Sequence, residues 1–254
     1  MLFEYREIKE RELVPVCVSM HKKMFNLSDE DAFPTLFFSL LIRQEHPMGI
    51  IIGCFKNSDN NDQELIGIVV TMVDVDNSLY CLFMCILPEY QNGRHGYNII
   101  NKFREVALSK GFLKLYGIYN PLEANLGKLY SYVGVKTNRY ICKPYDIHEM
   151  TDSVDKVLFE WCLDSKSVES VSFQDTIKKY PVIQNLDMCE SQFLLEIPNN
   201  YVELKKMNSN EINKQVEFIK LVLMEYLNNR GYYITDCLSG KYDGTKKTYY
   251  LLTN

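Results

Sequence analysis

The stretch Pro88-Glu89-Tyr90-Gln91-Asn92-Gly93-Arg94-His95-Gly96-Tyr97 joins an apolar, aromatic-rich run to a segment of helical periodicity. Upstream, Leu79 to Leu87 has the composition of a buried strand. Downstream, Ile99, Ile100, Phe103, Val106, Ala107 and Leu108 fall on one broad face of a helix over Tyr97 to Ser109, which Lys110-Gly111 ends. A strand that turns directly into a helix presents the unpaired first-turn amides, and such a helix N-terminus attracts phosphate. Gly93 and Gly96 allow the backbone to approach a ligand closely, and Arg94 and His95 add side-chain donors or charge at the same end. An ordinary turn with a helix cap is the other reading of these residues.

Outward from this turn, Phe3 to Ile8 is expected as a strand and Glu10 to Phe25 and Glu30 to Arg43 as helices, with Pro34 near the start of the second helix's apolar part. Met48 to Phe55 and Leu65 to Val75 read as strands on either side of the polar turn 57–63. Beyond the helix come a strand over Leu113 to Ile118, a helix over Leu122 to Tyr132 stopped by Gly134, and a strand over Val135 to Tyr145. The apolar run Ser153 to Leu163 fits either helix or strand, and we read it as a strand closing the sheet. A polar connector begins near 166. After it, Gln192 to Ile197 is a strand, Glu211 to Asn228 an amphipathic helix, and Tyr232 to Cys237 and Thr248 to Thr253 strands that flank Gly240-Lys241-Tyr242-Asp243-Gly244. The order predicts a mixed α/β fold with its antiparallel meander first.

The chain of 254 residues, 46% hydrophobic, is long enough to bury a sizeable core. Its 28 Lys and Arg against 33 Asp and Glu, without a long run of one sign, disfavour a nucleic-acid partner. The eight cysteines are scattered through apolar stretches rather than set in paired CxxC motifs, and read as reduced core thiols; no metal site is expected. The acidic N-terminus lacks the pattern of an export signal, and no apolar run reaches the ~20 residues that span a bilayer, so a soluble cytoplasmic protein is expected. His21 and His46 read as surface or satisfied core residues, His148 beside Asp146 and Glu149 as a loop residue, and Trp161 as core.

Ile86-Leu87-Pro88-Glu89-Tyr90-Gln91 and the turn after it resemble the acetyl-CoA loop of the GNAT superfamily, which usually reads Arg or Gln, two variable residues, Gly, one variable residue, then Gly or Ala. Gln91 and Gly96 match; Arg94 stands where the first glycine is usual, and Gly93 one place early. The resemblance implies a GNAT-like, mostly antiparallel twisted sheet flanked by helices, with a C-terminal α/β extension. It implies acetyl-CoA or another acyl-CoA as cosubstrate and an amine of a small molecule or peptide as acceptor. The cosubstrate would be held by Cys85, Ile86 and Leu87 of a strand splayed for the pantetheine, by Gln91, Asn92, Gly93, Arg94, His95, Gly96 and Tyr97 of the turn, and by Asn125.

The chain also resembles, over nearly its whole length, a group of two-part predicted acetyltransferases with mostly unassigned substrates. The carriers are Asn120-Pro121-Leu122-Glu123-Ala124-Asn125, Asp155 to Trp161, Ile197-Pro198, Leu204-Lys205, Gly231-Tyr232 and Thr235-Asp236. This implies an acyl-CoA-binding domain over 1–165 and a block over 166–254 packed on it and shaping the acceptor site. A homodimer is an assembly left open.

Acyl transfer to an amine needs a deprotonated nucleophile, a polarised thioester carbonyl and an acid for the leaving thiolate. In many GNAT enzymes a tyrosine four residues before a glycine is that acid; Tyr130 holds that place before Gly134, with Tyr132 as fallback. The asparagine usual seven residues before the tyrosine is replaced by Glu123, and Asn125 stands five before it. Glu123 is a candidate to hold or deprotonate the amine. The alternatives are a packed tyrosine and an early-helix acid favoured by the macrodipole. A GNAT-shaped CoA-binding or regulatory protein without catalysis is the competing function, motivated by Arg94 and the displaced asparagine.

Overall fold

The computed structural model of the chain describes residues 2–57, 63–144, 155–165, 171–199, 201 and 210–254. Most of the polar turn after Asn57, His148 with Asp146 and Glu149, the connector at 166–170 and the Leu204-Lys205 pair lie outside the described residues. Backbone contacts group the chain into two compact units, Met1–Tyr116 and Gly117–Asn254.

In the first unit, β1 (Leu2–Glu7) leads through a 3-10 turn, Arg11–Leu13, into α1 (Val14–Phe25). Next come α2 (Thr35–Leu41), β2 (Gly49–Asn57), β3 (Gln63–Val73), β4 (Ser78–Ile86) and α3 (His95–Ser109). β1, β2, β3 and β4 pair in that order, each antiparallel to the next. β2 and β3 read as near-continuous apolar runs because both of their faces are covered: Ile50, Ile51 and Ile52, and Ile66, Ile68, Val69 and Val70, are all essentially inaccessible. α3 packs across β1, β2 and β3 with Ile99, Ile100, Phe103 and Ala107 buried. Each of the larger three contributes roughly 1.5–3 kcal/mol by leaving water.

α2 is shorter than the helix expected from Glu30. Phe33 precedes Pro34, whose ring disfavours helical backbone one residue before it, so the helix cannot start until Thr35, with Pro34 in the N-cap place. Ser28 and Asp31 form a local turn instead, the Asp31 amide donating to Ser28 Oγ at 3.2 Å.

His21 departs from its expectation. Its ring is stacked between Phe33, at 4.9 Å and 7°, and Phe83, at 4.5 Å and 24°, and its buried Nδ1 has no hydrogen-bond partner among the described residues. Burial pushes its pKa down. The unfolded chain therefore takes up a proton first as pH falls through about 6.5, and stability is lost on going down toward the depressed folded value. His21→Phe keeps the stack and removes the orphaned nitrogen. We expect it to raise unfolding stability by about 1 kcal/mol near pH 7.5. That gain should widen below pH ~6.5, as read from urea unfolding at several pH values.

The second unit takes in the end of β5 (Lys114–Tyr119), then α4 (Ala124–Tyr132), β6 (Lys136–Ile141), β7 (Lys156–Cys162) and α5 (Phe173–Lys179). β8 (Gln192–Ile197) and α6 (Asn210–Leu223) follow, α6 passing into a π-helical turn over Met224–Asn229 before β9 (Tyr233–Tyr242) and β10 (Thr245–Thr253). The strand order is β5-β7-β6-β9-β10-β8. The strand expected over 153–163 is present over Lys156–Cys162, with 153 and 154 outside the described residues, but β7 does not close the sheet. It lies between β5 and β6, and Val157, Phe159 and Trp161 are inaccessible there. Gly240, Lys241 and Tyr242 belong to β9; the connection is only Asp243-Gly244, both left-handed at φ 49 and 77, which is a two-residue hairpin turn whose twist matches the strands. Five cysteines are buried as expected, whereas Cys142, Cys162 and Cys189 are exposed.

Candidate functional site

The turn between β4 and α3 is held from below by its own residues. The Leu87 amide donates to Ile66 O at 2.9 Å, ending the β3–β4 ladder, and one 3-10 turn over Pro88–Tyr90 follows. Gln91 Nε2 donates to Ile86 O at 3.0 Å, so this side chain braces the turn from the end of β4. Lys56 donates to the Tyr90 hydroxyl at 2.8 Å, and that hydroxyl donates to Glu64 at 3.2 Å, tying the turn to β2 and β3.

The backbone geometry revises the roles given to the glycines. The left-handed residues are Asn92 at φ 66 and Arg94 at φ 60, while Gly93 between them is needed for space. A Cβ on Gly93 would lie 2.7 Å from His95 Cδ2 and 2.8 Å from Nε2. Position 94 thus has a left-handed backbone, the conformation that favours glycine, although arginine occupies it. A left-handed non-glycine residue carries a cost of about 1–2 kcal/mol, against roughly 0.5–1 kcal/mol of extra backbone entropy for glycine. Arg94→Gly should therefore leave stability equal or raise it by up to about 1 kcal/mol in denaturant unfolding.

His95 does not offer its ring to a ligand, as had been expected from its place at the helix end. The ring is buried, 4.4 Å from Phe3, and its Nδ1 lies 2.8 Å from the Tyr5 hydroxyl. Asn98 Nδ2 donates to the same hydroxyl at 3.1 Å, so the hydroxyl joins the imidazole to Asn98. Burial holds the His95 pKa down, which favours the neutral imidazole. The outward surface is made by Gln91, Asn92, Gly93 and Arg94, which are exposed, and by the backbone of the first turn of α3. The N-cap residue, Arg94, makes no side-chain cap, so the first amides of that helix have neither an intrahelical partner nor a cap from it.

On β4, the Leu87 amide is engaged with β3 and so is not a pantetheine donor. Antiparallel alternation turns the Ile86 N–H to the opposite edge. Cys85 is buried with its thiol pushed up to about 12 by burial, and by the same alternation its amide faces β3, as that of Leu87 does.

In the second unit, Asn120 is buried and forms an Asx turn, its Oδ1 accepting from the Leu122 amide at 3.0 Å. This aims Glu123 into the N-cap position of α4. Glu123 is exposed to solvent, yet the protein mass around its carboxyl raises its pKa; Lys156 and Asn120 partly oppose the shift. Tyr130 lies seven residues on, two turns along nearly the same helix face, whereas Asn125 is exposed on another face. The Tyr130 ring is buried, 5.2 Å from Tyr119 and 4.6 Å from Phe159. Tyr132 is 54% exposed.

α4 is fixed by β9 and β10. Ser131 Oγ donates to Asp236, Cys237 Sγ lies 3.8 Å from Ala124 O, and Tyr250 donates to Pro121 O at 2.7 Å. Sequence reasoning missed Tyr5, Asn98 and Tyr250. The alternation of Phe3 and Tyr5 on one face of β1 was a signal for the first; nothing local links residue 250 to residue 121.

A four-stranded antiparallel meander, a turn with uncapped amides opening the α3 helix, and further strands after it define the fold of the GNAT N-acetyltransferases. Among solved structures, the chain resembles the acetyltransferase of the GNAT family from Streptococcus pneumoniae, with a TM-score of 0.52 and 16% identity over 63% of this chain and 99% of that one. It also resembles a putative acetyltransferase from Acinetobacter baylyi, with a TM-score of 0.53 and 14% identity over 65% of this chain and 93% of that one. No protein-family model and no curated protein sequence matches the chain.

Proposed function

We propose that this protein is an acyl-CoA-dependent N-acyltransferase that moves an acetyl group from acetyl-CoA to an amine of a small molecule or peptide. The observation that carries the reading is the turn 91–97, where exposed, left-handed Asn92 and Arg94 lead into a helix start whose first-turn amides have no side-chain cap from Arg94. A pyrophosphate is the group such amides recognise, and Arg94 adds a positive charge beside them. In the reaction, the amine nitrogen attacks the thioester carbonyl, the C–S bond breaks, and the thiolate leaves with a proton. Tyr130 is assigned as the donor of that proton, and Glu123 as the group that takes the amine's proton, a role its raised pKa suits. Residues 166–254 are assigned to the same working unit as α4, a role supported by the contacts of β9 and β10 with that helix.

We place the protein in the cytoplasm. All eight cysteines are free, as in a reducing compartment, and no helix among the described residues is long and apolar enough to cross a membrane. Isothermal titration of the folded protein with acetyl-CoA and CoA tests the cosubstrate; absence of binding to both sinks the proposal. The burial of Tyr130 favours a second reading, a CoA-binding protein without transfer. CoA-thiol release with an amine panel eliminates that reading, and saturable binding without release supports it.

A further inference from the structure

A separate cavity of about 240 Å³ lies in the first unit, where β1 ends, β2 begins and α2 and α3 finish. Its floor is apolar: Ile8, Leu41, Ile42 and Ile51 are buried there. Its rim is cationic, with Lys9, Arg43 and Lys110 around one carboxylate, Glu7. Lys9 Nζ and Lys110 Nζ converge on the two Glu7 oxygens at 3.1 and 3.0 Å, and Arg43 Nε donates to His46 O at 2.6 Å.

The charge count decides the ligand's sign. Three cations and one carboxylate leave an excess of two positive charges. The ends of α2 and α3 lie at this cavity through Leu41, Ile42 and Lys110, and their last carbonyls offset part of that excess, so the site keeps a net positive charge. The volume is below the ~300 Å³ of the smallest drug-sized sites, which restricts the occupant to a few heavy atoms behind its charged head. We propose that this cavity binds a small monocarboxylate with a short apolar chain. The carboxylate joins Lys9, Lys110 and Arg43 at the rim, and the chain covers Ile8, Leu41 and Ile51. Glu7 acts as an internal counter-ion that the ligand partly displaces.

The counter-ion role makes the test specific. In an NMR titration of the full chain with butyrate at low salt, we expect saturable amide shifts at Ile8, Gly49 and Lys110. Lys110→Gln should weaken butyrate binding about fivefold, and Glu7→Gln, which removes the competing carboxylate, should strengthen it by a similar factor. Binding should also weaken at 0.5 M salt, as expected for partly exposed charges. Butylammonium should not bind. Equal shifts with butylammonium, unsaturable shifts with butyrate, or butyrate affinity unchanged in Lys110→Gln and Glu7→Gln would overturn the proposal. Lys110 is partly exposed at a helix end, and correct folding of its variant is read from the same spectrum.

Discussion

Replacing Tyr130 by phenylalanine should leave the protein folded and slow acetyl transfer by roughly 10²-fold or more, while replacing it by alanine should destabilise the fold by about 3–5 kcal/mol. The two substitutions separate what the residue does from where it sits. Its ring is a packing element between Tyr119 and Phe159, and phenylalanine preserves that contact. Its hydroxyl is the proton donor in the proposed reaction, and only phenylalanine removes it without opening a cavity. The effect should fall on kcat more than on KM, because the proton is needed as the thiolate leaves. Steady-state kinetics together with urea unfolding check both halves. A Tyr130→Phe protein with an unchanged rate would reduce Tyr130 to a core residue and move the acid role elsewhere.

Gly127→Val should destabilise the protein by about 3–5 kcal/mol and abolish transfer. Position 127 is helical, and a Cβ there would lie 2.8 Å from the Tyr250 hydroxyl, 2.9 Å from its Cε1 and 3.2 Å from Cys237 Sγ. Tyr250 has no exposed surface into which to retreat, and its hydroxyl is committed to Pro121 O. α4 would have to lift, breaking the Ser131–Asp236 bond and leaving the Pro121 carbonyl without its donor. Overpacking contributes about 1–3 kcal/mol and an unsatisfied buried carbonyl about 1–3 kcal/mol more. That is a large share of a typical stability of roughly 5–15 kcal/mol. A double-mutant cycle checks the cause: Tyr250→Phe alone should cost about 1–2 kcal/mol, and combined with Gly127→Ala it should cost less than the sum of the two single changes.

The meander and α3 were legible because their signals are local. The apolar runs of β2, β3 and β4 and the spacing of Ile99, Ile100, Phe103 and Ala107 state their own structure. The same was true of the turn itself, whose strand-to-helix context was visible from residues 79 to 109. Its inner workings were not. Arg94 adopts a conformation that side-chain identity argues against, and the residue after it, His95, is fixed by the Tyr5 contact across 90 residues. α5 escaped notice because seven residues, Phe173–Lys179, carry too few apolar positions to set a period. The interior place of β7 was likewise hidden, since strand order depends on which edges meet and not on composition. At the α4 site, Glu123 and Tyr130 could be nominated from spacing, whereas the restraint by β9 and β10 is long-range throughout.

The bond from Tyr250 to Pro121 spans 129 positions, and it also sets a schedule for synthesis. A ribosome that has finished α4 must add β6 through β10 before the helix receives its clamp. Until then the apolar underside of α4 and the aromatic faces of Tyr119 and Phe159 have no settled cover, an interval in which a nascent chain is open to wrong partners. Translation speed and chaperone supply should therefore govern the yield of this protein more than the strength of any one contact. Nonsense or frameshift lesions that remove β10 should disable it as thoroughly as lesions near the turn.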